Sequence, residues 1–269
     1  MGEAGVFFLE PPAHEAERAR PHHFPTARRN ALVPNPEWHD EALAGVKWDL
    51  VLCKTRHARE LFAAAGQKTC YTGFTSEDCH DPAVAKDYSR WLHTAGTSVQ
   101  KGTGTIIDAW AAHPEYPHLT ITSFAHRLKK PLANVTVHNT RLADDQLRLL
   151  RNACGVHLCT SETEGWGHYL VEGMAAGALV VTTDAAPMNE HGRPARGVLC
   201  GYGRTSRQRL ATNYHITGET LAAAVAQVLG MPDAEKAWRG AAARGYYQWA
   251  TGSFREAFGQ AVDALLQGR

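Results

Sequence analysis

The chain lacks any apolar run approaching the roughly 20 residues of a membrane-spanning helix. It also lacks a charge surplus, since 28 lysines and arginines against 27 aspartates and glutamates leave +1. That balance gives no support to a nucleic-acid groove or an anionic-membrane patch. No CxxC pair joins any of Cys53, Cys70, Cys79, Cys154, Cys159 and Cys200, and the 15 histidines form no HExxH or His-x-His cluster. The tight ligand pairs of a zinc site are therefore missing, no metal is expected, and the cysteines read as reduced core residues of a cytoplasmic protein. The opening segment has Glu3 where a signal peptide needs basic residues, and Gly2 lacks the Ser or Thr of a myristoylation signal. Internal repeats and low-complexity tracts are absent as well.

What is present is a series of short apolar runs alternating with helical segments, the pattern of parallel βα units. Strands are expected at Val6–Leu9, Ala31–Val33, Leu50–Cys53, Cys70–Thr72, Trp91–Thr94, Leu119–Ser123, Val135–His138, Val156–Cys159, Leu179–Thr182 and Gly197–Leu199. Helices are expected at Ala58–Ala65, Gly104–Ala111, Asp144–Cys154, His168–Ala176, Thr220–Leu229, Ala234–Ala250 and Phe254–Leu266. Ser253 and Glu256 have capping-box spacing at the start of the last of these. A polar break at Asp78–Tyr88, containing Pro82, divides the series. The expected organisation is a reduced first lobe over 1–88, a second lobe over 89–252 and a terminal helix over 253–269 that crosses back to the first lobe.

The segment from Val156 to Thr183 carries the chemistry. An apolar strand runs into a polar loop, then Glu164-Gly165-Trp166-Gly167, then a helix beginning at His168 and bearing Glu172, then a second apolar strand. Strand, Gly-rich loop and helix form a phosphate-binding arrangement, because glycine lets backbone approach the ligand and the helix start attracts anions. Glu164 and Glu172 stand eight residues apart. If all helix, that spacing is roughly 12 Å along the axis, about the reach from the sugar of a nucleotide-diphosphate sugar across two phosphates to the ribose. Carboxylates suit such hydroxyl-rich groups because they accept charge-assisted hydrogen bonds. The plainer alternative is a helix whose first glutamate complements the dipole and whose second is solvated.

This segment resembles the GT4-type retaining glycosyltransferases, the glycosyl transferases group 1. Ser161, Glu164, Gly165, Trp166, Gly167, Glu172, Met174, Ala175 and Gly177 match that signature in order, and Thr183 to Glu190 resembles the loop that follows. Upstream, Trp91 to Thr103, with Ser98, Lys101 and Gly102, resembles the opening of the family's donor lobe, where the lysine binds the donor diphosphate. Gly96 stands where many members carry an arginine, so Ser98, His93 or the other lobe is left to supply that contact. The resemblance implies a GT-B architecture, α/β with two Rossmann-like lobes built on parallel sheets, the first unusually short. It implies transfer of a sugar from a nucleotide-diphosphate sugar, UDP- or GDP-linked, to an acceptor hydroxyl with retention and without a metal or other cofactor. Glu164 would orient the sugar, Glu172 the ribose, and Lys101 with the helix start at Gly165–His168 the diphosphate. Trp166 would line the sugar pocket, and His168 either serves the site or packs on the core.

In the first lobe, Asn35, Glu37 and His39 follow a strand and are candidates to face the cleft, or else form a proline-stiffened turn. Lys54, Arg56 and Ser76 are candidate acceptor or phosphate contacts with an ordinary surface role as the alternative. Family members spend more residues on this lobe and open it with a Gly-rich loop not found here. The lobe is then minimal, truncated, or completed by a partner chain in a homo- or hetero-oligomer. The rival functions are a donor-binding or degenerate subunit and a nucleotide-sugar epimerase of the same fold.

Overall fold

The computed structural model describes residues 5–8, 28–39, 43 and 45–267. Leu9, the expected end of the first strand, lies outside them. Two parallel sheets form the two lobes. The first consists of β1 (Gly5–Phe8), β2 (Asn30–Val33), β3 (Leu50–Cys53) and β4 (Thr69–Tyr71), paired in that order. Helix α1 (Arg56–Ala64) links β3 to β4, and the Thr55 hydroxyl caps it by accepting from the Ala58 N–H.

The second sheet has six strands: β5 (Asp87–Gly96), β6 (His118–Ser123), β7 (Val135–His138), β8 (Cys154–Cys159), β9 (Leu179–Thr183) and β10 (Val198–Cys200). Their spatial order is β10-β9-β8-β5-β6-β7, all parallel. The order reverses where β5 lies beside β8, and in open α/β sheets the crevice beyond the carboxyl ends at such a reversal is where ligands bind. Helices α2 (Thr103–Ala112), α3 (Asp144–Ala153), α4 (His168–Ala175), the short α5 (Met188–His191) and α6 (Gly218–Leu229) cover the sheet. Trp91, Trp110, Ile121, Leu158 and Val225 are among the buried residues of its main core. This is the GT-B arrangement of two Rossmann-like lobes.

The structure adds an antiparallel hairpin, β11 (Arg204–Gln208) and β12 (Ala211–His215), that the sequence pattern does not announce. Its first strand, RTSRQ, is polar throughout, so no apolar alternation marks it. Its turn places Arg209 at φ 53°, a left-handed conformation usually signalled by glycine or asparagine.

The C-terminal region also differs from expectation. Helices predicted on either side of Gly252 are one, α7 (Asp233–Leu266), so Ser253 and Glu256 lie mid-helix and form no cap. The first half of α7 buries Ala243 and Tyr247 against the second lobe, and the last turns bury Ala261 and Leu265 against Ala31, Val33, Leu50 and Leu52 of the first sheet. The apolar stripe changes face between the two contacts, which reads in sequence as a break. Other ties join the lobes: Arg244 forms two hydrogen bonds with the Asp78 carboxylate, and the Tyr247 hydroxyl donates to the Ser76 carbonyl at 2.9 Å. Glu190, just after β9, accepts from the N–H groups of Arg56 and His57 at 2.9 and 2.8 Å, so a second-lobe carboxylate caps a first-lobe helix.

Helix α7 crosses the turn after α4 in close backbone contact. A Cβ at Gly240 would stand 2.3 Å from the Gly177 carbonyl oxygen. Glycine to alanine in a helix interior normally stabilises by roughly 1 kcal/mol. At Gly240 the expected outcome is the reverse, a loss of about 1–3 kcal/mol from overpacking against backbone, read as a lower melting temperature. The control Gly245→Ala, where a Cβ meets nothing within 4 Å, is expected to hold or raise it.

Candidate functional site

The loops leaving β5 and β8 meet at the strand-order reversal. Gly102 adopts φ 70° at the start of α2, and a Cβ there would lie 2.9 Å from the Thr160 carbonyl oxygen, so glycine lets the loops touch. The Thr160 hydroxyl donates to the Lys101 carbonyl at 3.2 Å. Lys101 Nζ then reaches Glu164 Oε1 in a half-buried ion pair and lies 4.3 Å from the centre of the Tyr169 ring. Glu164 Oε1 also accepts from Ser161 Oγ, which in turn accepts from the Tyr169 hydroxyl at 2.7 Å. A chain of hydrogen bonds thus orients the carboxylate. Gly167, at φ 90°, forms the N-cap of α4, and no side chain caps that helix end, leaving backbone N–H groups to attract an anion.

One helical turn further, Glu172 Oε2 is paired with Arg151 of α3. A cavity of about 470 Å³ is lined by Lys101, Arg151, Glu164, His168, Tyr169 and Glu172, and also by Thr140, Arg141 and Leu142. Both carboxylates therefore face one pocket, each with a cation beside it. Arg151 escaped sequence analysis because a basic residue in the last turn of an amphipathic helix is ordinary. Only the packing of α3 beside α4 gives it a partner.

Several expected residues sit elsewhere. Trp166 is buried, its ring edge-on to His191 at 4.3 Å and to Phe74 at 6.1 Å, with Nε1 donating to Ser76 Oγ at 3.2 Å. It packs between the lobes and does not line the pocket. Gly165 is set by the first lobe, since a Cβ there would stand 2.0 Å from Asn35 Oδ1. Ser98 accepts from the Gln100 N–H at 3.2 Å, shaping the loop ahead of Lys101 without lining the cavity. His93 is internal, its ring nitrogens on the Leu158 carbonyl and the Thr103 hydroxyl, and burial pushes its pKa down to about 4. It is not free to meet a phosphate. His168 is exposed on the cavity wall, with Nδ1 2.9 Å from Ser76 Oγ.

The three first-lobe candidates divide. His39 is buried edge-on against Phe62 at 4.9 Å, inside the first lobe rather than at the cleft. Asn35 lies against the Glu164–Gly165 loop and accepts from Lys54 Nζ at 2.9 Å. Lys54 is fully buried, with its ammonium 4.6 Å from the Phe74 ring centre, so it is no surface residue. Glu37 sits on the short 3-10 turn Pro36–Trp38, whose carbonyl oxygen at Glu37 accepts from Gln208 of the hairpin. Its Oε2 is buried and meets no hydrogen-bond partner among the described residues. Among the described residues, no three His, Cys, Asp or Glu side chains gather as a metal site would require.

With two Rossmann-like lobes and a cleft of this construction, the chain falls in the GT-B class. Residues 124–243 match the family model described as glycosyl transferases group 1. Solved structures of similar fold include pneumococcal O-GlcNAc transferase GtfA in complex with UDP and GlcNAc, at 14% identity and a TM-score of 0.65, covering 100% of this chain and 57% of that one. HepE of Anabaena in complex with UDP-glucose matches at 17% identity and 0.64, covering 88% of this chain and 72% of that one. Sucrose-phosphate synthase from Thermosynechococcus elongatus matches at 15% and 0.67, covering 89% and 68%. The chain thus spans little more than half of GtfA, also in the GtfA/B complex, where it covers 57%. No curated protein matches the chain in sequence.

Glu37 gives this site a pH signature. Burial, with the Glu164 charge adding to it, raises the Glu37 carboxyl from 4.5 to about 7, against the opposing effect of its own backbone bond and of Lys54 and Lys101. The unfolded chain would release this proton near 4.5 and the folded chain near 7. Folding therefore takes up a proton between those values, and the contribution to stability falls as pH rises through them. The expected outcome is that Glu37→Gln gains stability over the parent between pH 5 and pH 8, by up to about 3 kcal/mol in urea unfolding. An equal gap at both ends of that range would contradict the assignment.

Proposed function

We propose that the chain is a retaining, GT4-like glycosyltransferase that moves a sugar from a nucleotide-diphosphate sugar to an acceptor hydroxyl. The observation that carries this reading is the single pocket faced by Glu164, Lys101, Glu172 and the uncapped start of α4. Glu172 takes the ribose hydroxyls, with Arg151 holding its carboxylate in place. Lys101 and the α4 N–H groups take the diphosphate, whose negative charge grows as the glycosidic bond breaks. Fixed positive groups of that kind contribute several kcal/mol to such a transition state, and they take the part that a metal plays in other transferases. Glu164, oriented by Ser161 and Tyr169, faces the donor sugar and stabilises positive charge on it. The acceptor proton passes to the leaving phosphate or to a first-lobe side chain.

The base is proposed to meet Thr140, Arg141 and Leu142 of the cavity lining, largely through backbone, and a UDP or GDP sugar is the proposed donor. The similar structures of GtfA and HepE are complexes with UDP and with UDP-glucose, which supports UDP first. The six free thiols support a reducing, cytoplasmic setting, and no described helix is long and apolar enough to cross a membrane.

A second reading rests on one observation, the four short strands described in the first lobe together with the partial span of its relatives. On that reading the chain is a donor-binding subunit completed by a partner. Protein that binds UDP-sugar yet neither transfers nor slowly hydrolyses it would favour this version.

Calorimetric titration with UDP, alongside donor turnover, tests the site. Glu172→Gln is expected to weaken UDP by about tenfold, the scale of a lost charge-assisted hydrogen bond. Glu164→Gln is expected to leave UDP affinity within about twofold while turnover falls by roughly 10²-fold or more, as for loss of a transition-state contact. Parental affinity and turnover in both variants would overturn the proposal.

A further inference from the structure

A second cavity, of about 250 Å³, lies between the lobes and is lined by Arg56 and Tyr71 from the first and by Glu190, Arg193, Arg196, Tyr246 and Trp249 from the second. It shares no residue with the pocket of Glu164 and Glu172. Three guanidinium groups face it, and none forms an ion pair with a carboxylate among the described residues. Arg196 donates only to the carbonyls of His191 and Glu190, at 2.6 and 3.0 Å. Arg56 lies with its guanidinium carbon 4.8 Å from the Tyr71 ring centre, and Arg193 is exposed. The single lining carboxylate, Glu190, has both oxygens committed to the N–H groups of Arg56 and His57. Partial burial, together with the Arg193 charge, holds Arg196 below its ordinary value against the opposing pull of Tyr246.

Like charges gathered around so small a volume repel, and guanidinium forks recognise phosphate and carboxylate oxygens with paired hydrogen bonds. The remaining wall is aromatic. Tyr246 lies under Arg196 at 4.0 Å and against Trp249 at 5.7 Å, while Trp249 is 60% exposed. An exposed indole beside three arginines that outnumber the one lining carboxylate offers a stacking face to a sugar ring that carries a negative group. The volume sits below the range usual for drug-sized ligands, so one monosaccharide unit is the fitting size.

We propose that this cavity is a binding site for a monosaccharide bearing a phosphate or carboxylate, gripped by Arg56 and Arg193 with Arg196 behind them and by Trp249 on the ring face. Both lobes contribute, so an occupant holds them in this relative position and stabilises the folded chain by mass action. The site does not depend on the transferase reading, and UDP reports on the other pocket separately.

The test is calorimetric and thermal-shift titration of the full chain with glucose 6-phosphate and glucuronate, against glucose and inorganic phosphate. The anionic sugars are expected to bind at least tenfold more tightly than either control and to raise the melting temperature. Arg193→Ala and Trp249→Ala, both exposed and away from the core, are each expected to lower that affinity at least fivefold while leaving UDP affinity and the ligand-free melting temperature unchanged. Anionic sugars binding no better than inorganic phosphate would overturn the proposal. So would parental affinity in both variants, or an affinity lost in Glu172→Gln and kept in Arg193→Ala, which would place the ligand in the other pocket.

Discussion

The structure depends on two opposite charges being delivered to one half-buried point. Lys101 follows β5 and Glu164 follows β8, and the two strands are neighbours only because the sheet reverses its order there. Neither charge is tolerable alone at that depth, since removing one partner of a buried pair leaves an uncompensated ion. In this arrangement they satisfy each other. Arg151 and Glu172 repeat the device one helical turn away.

A cleft of this kind works only if the lobes are held in register. Here the ties are of different physical types. Glu190 uses the dipole of α1, Arg244 and Asp78 use a forked ion pair, and the end of α7 uses apolar burial on the first sheet. The side chains of Asn35 and Trp166 make the junction close-packed: the first presses on Gly165, and the second fills the space between Phe74 and His191. Residues that resemble ligand contacts in a motif thus include some whose task is to fit one lobe to the other.

Much of the second lobe was legible because parallel, doubly covered strands leave near-continuous apolar runs, as at Leu179–Thr183. The Gly165 and Gly167 spacing was legible because close backbone approach demands glycine. The hairpin was not, since Arg204–Gln208 is held by backbone pairing and polar side chains with no apolar signature. Nor was the continuity of α7, where the buried face shifts between two lobes and Gly252 imitates a stop.

The amino-acid order alone determined the βα alternation, the glycine-bearing loop after β8 and the two glutamates on either side of a helix start, because periodicity, glycine and helix ends act over a few residues. Only the tertiary structure decided that Arg151 faces Glu172, that Glu37 is buried beside Glu164, that His39 and His93 are interior, and that three arginines from two lobes share a cavity. Those outcomes rest on contacts between segments tens of residues apart, where burial and neighbouring charge set what each side chain can do.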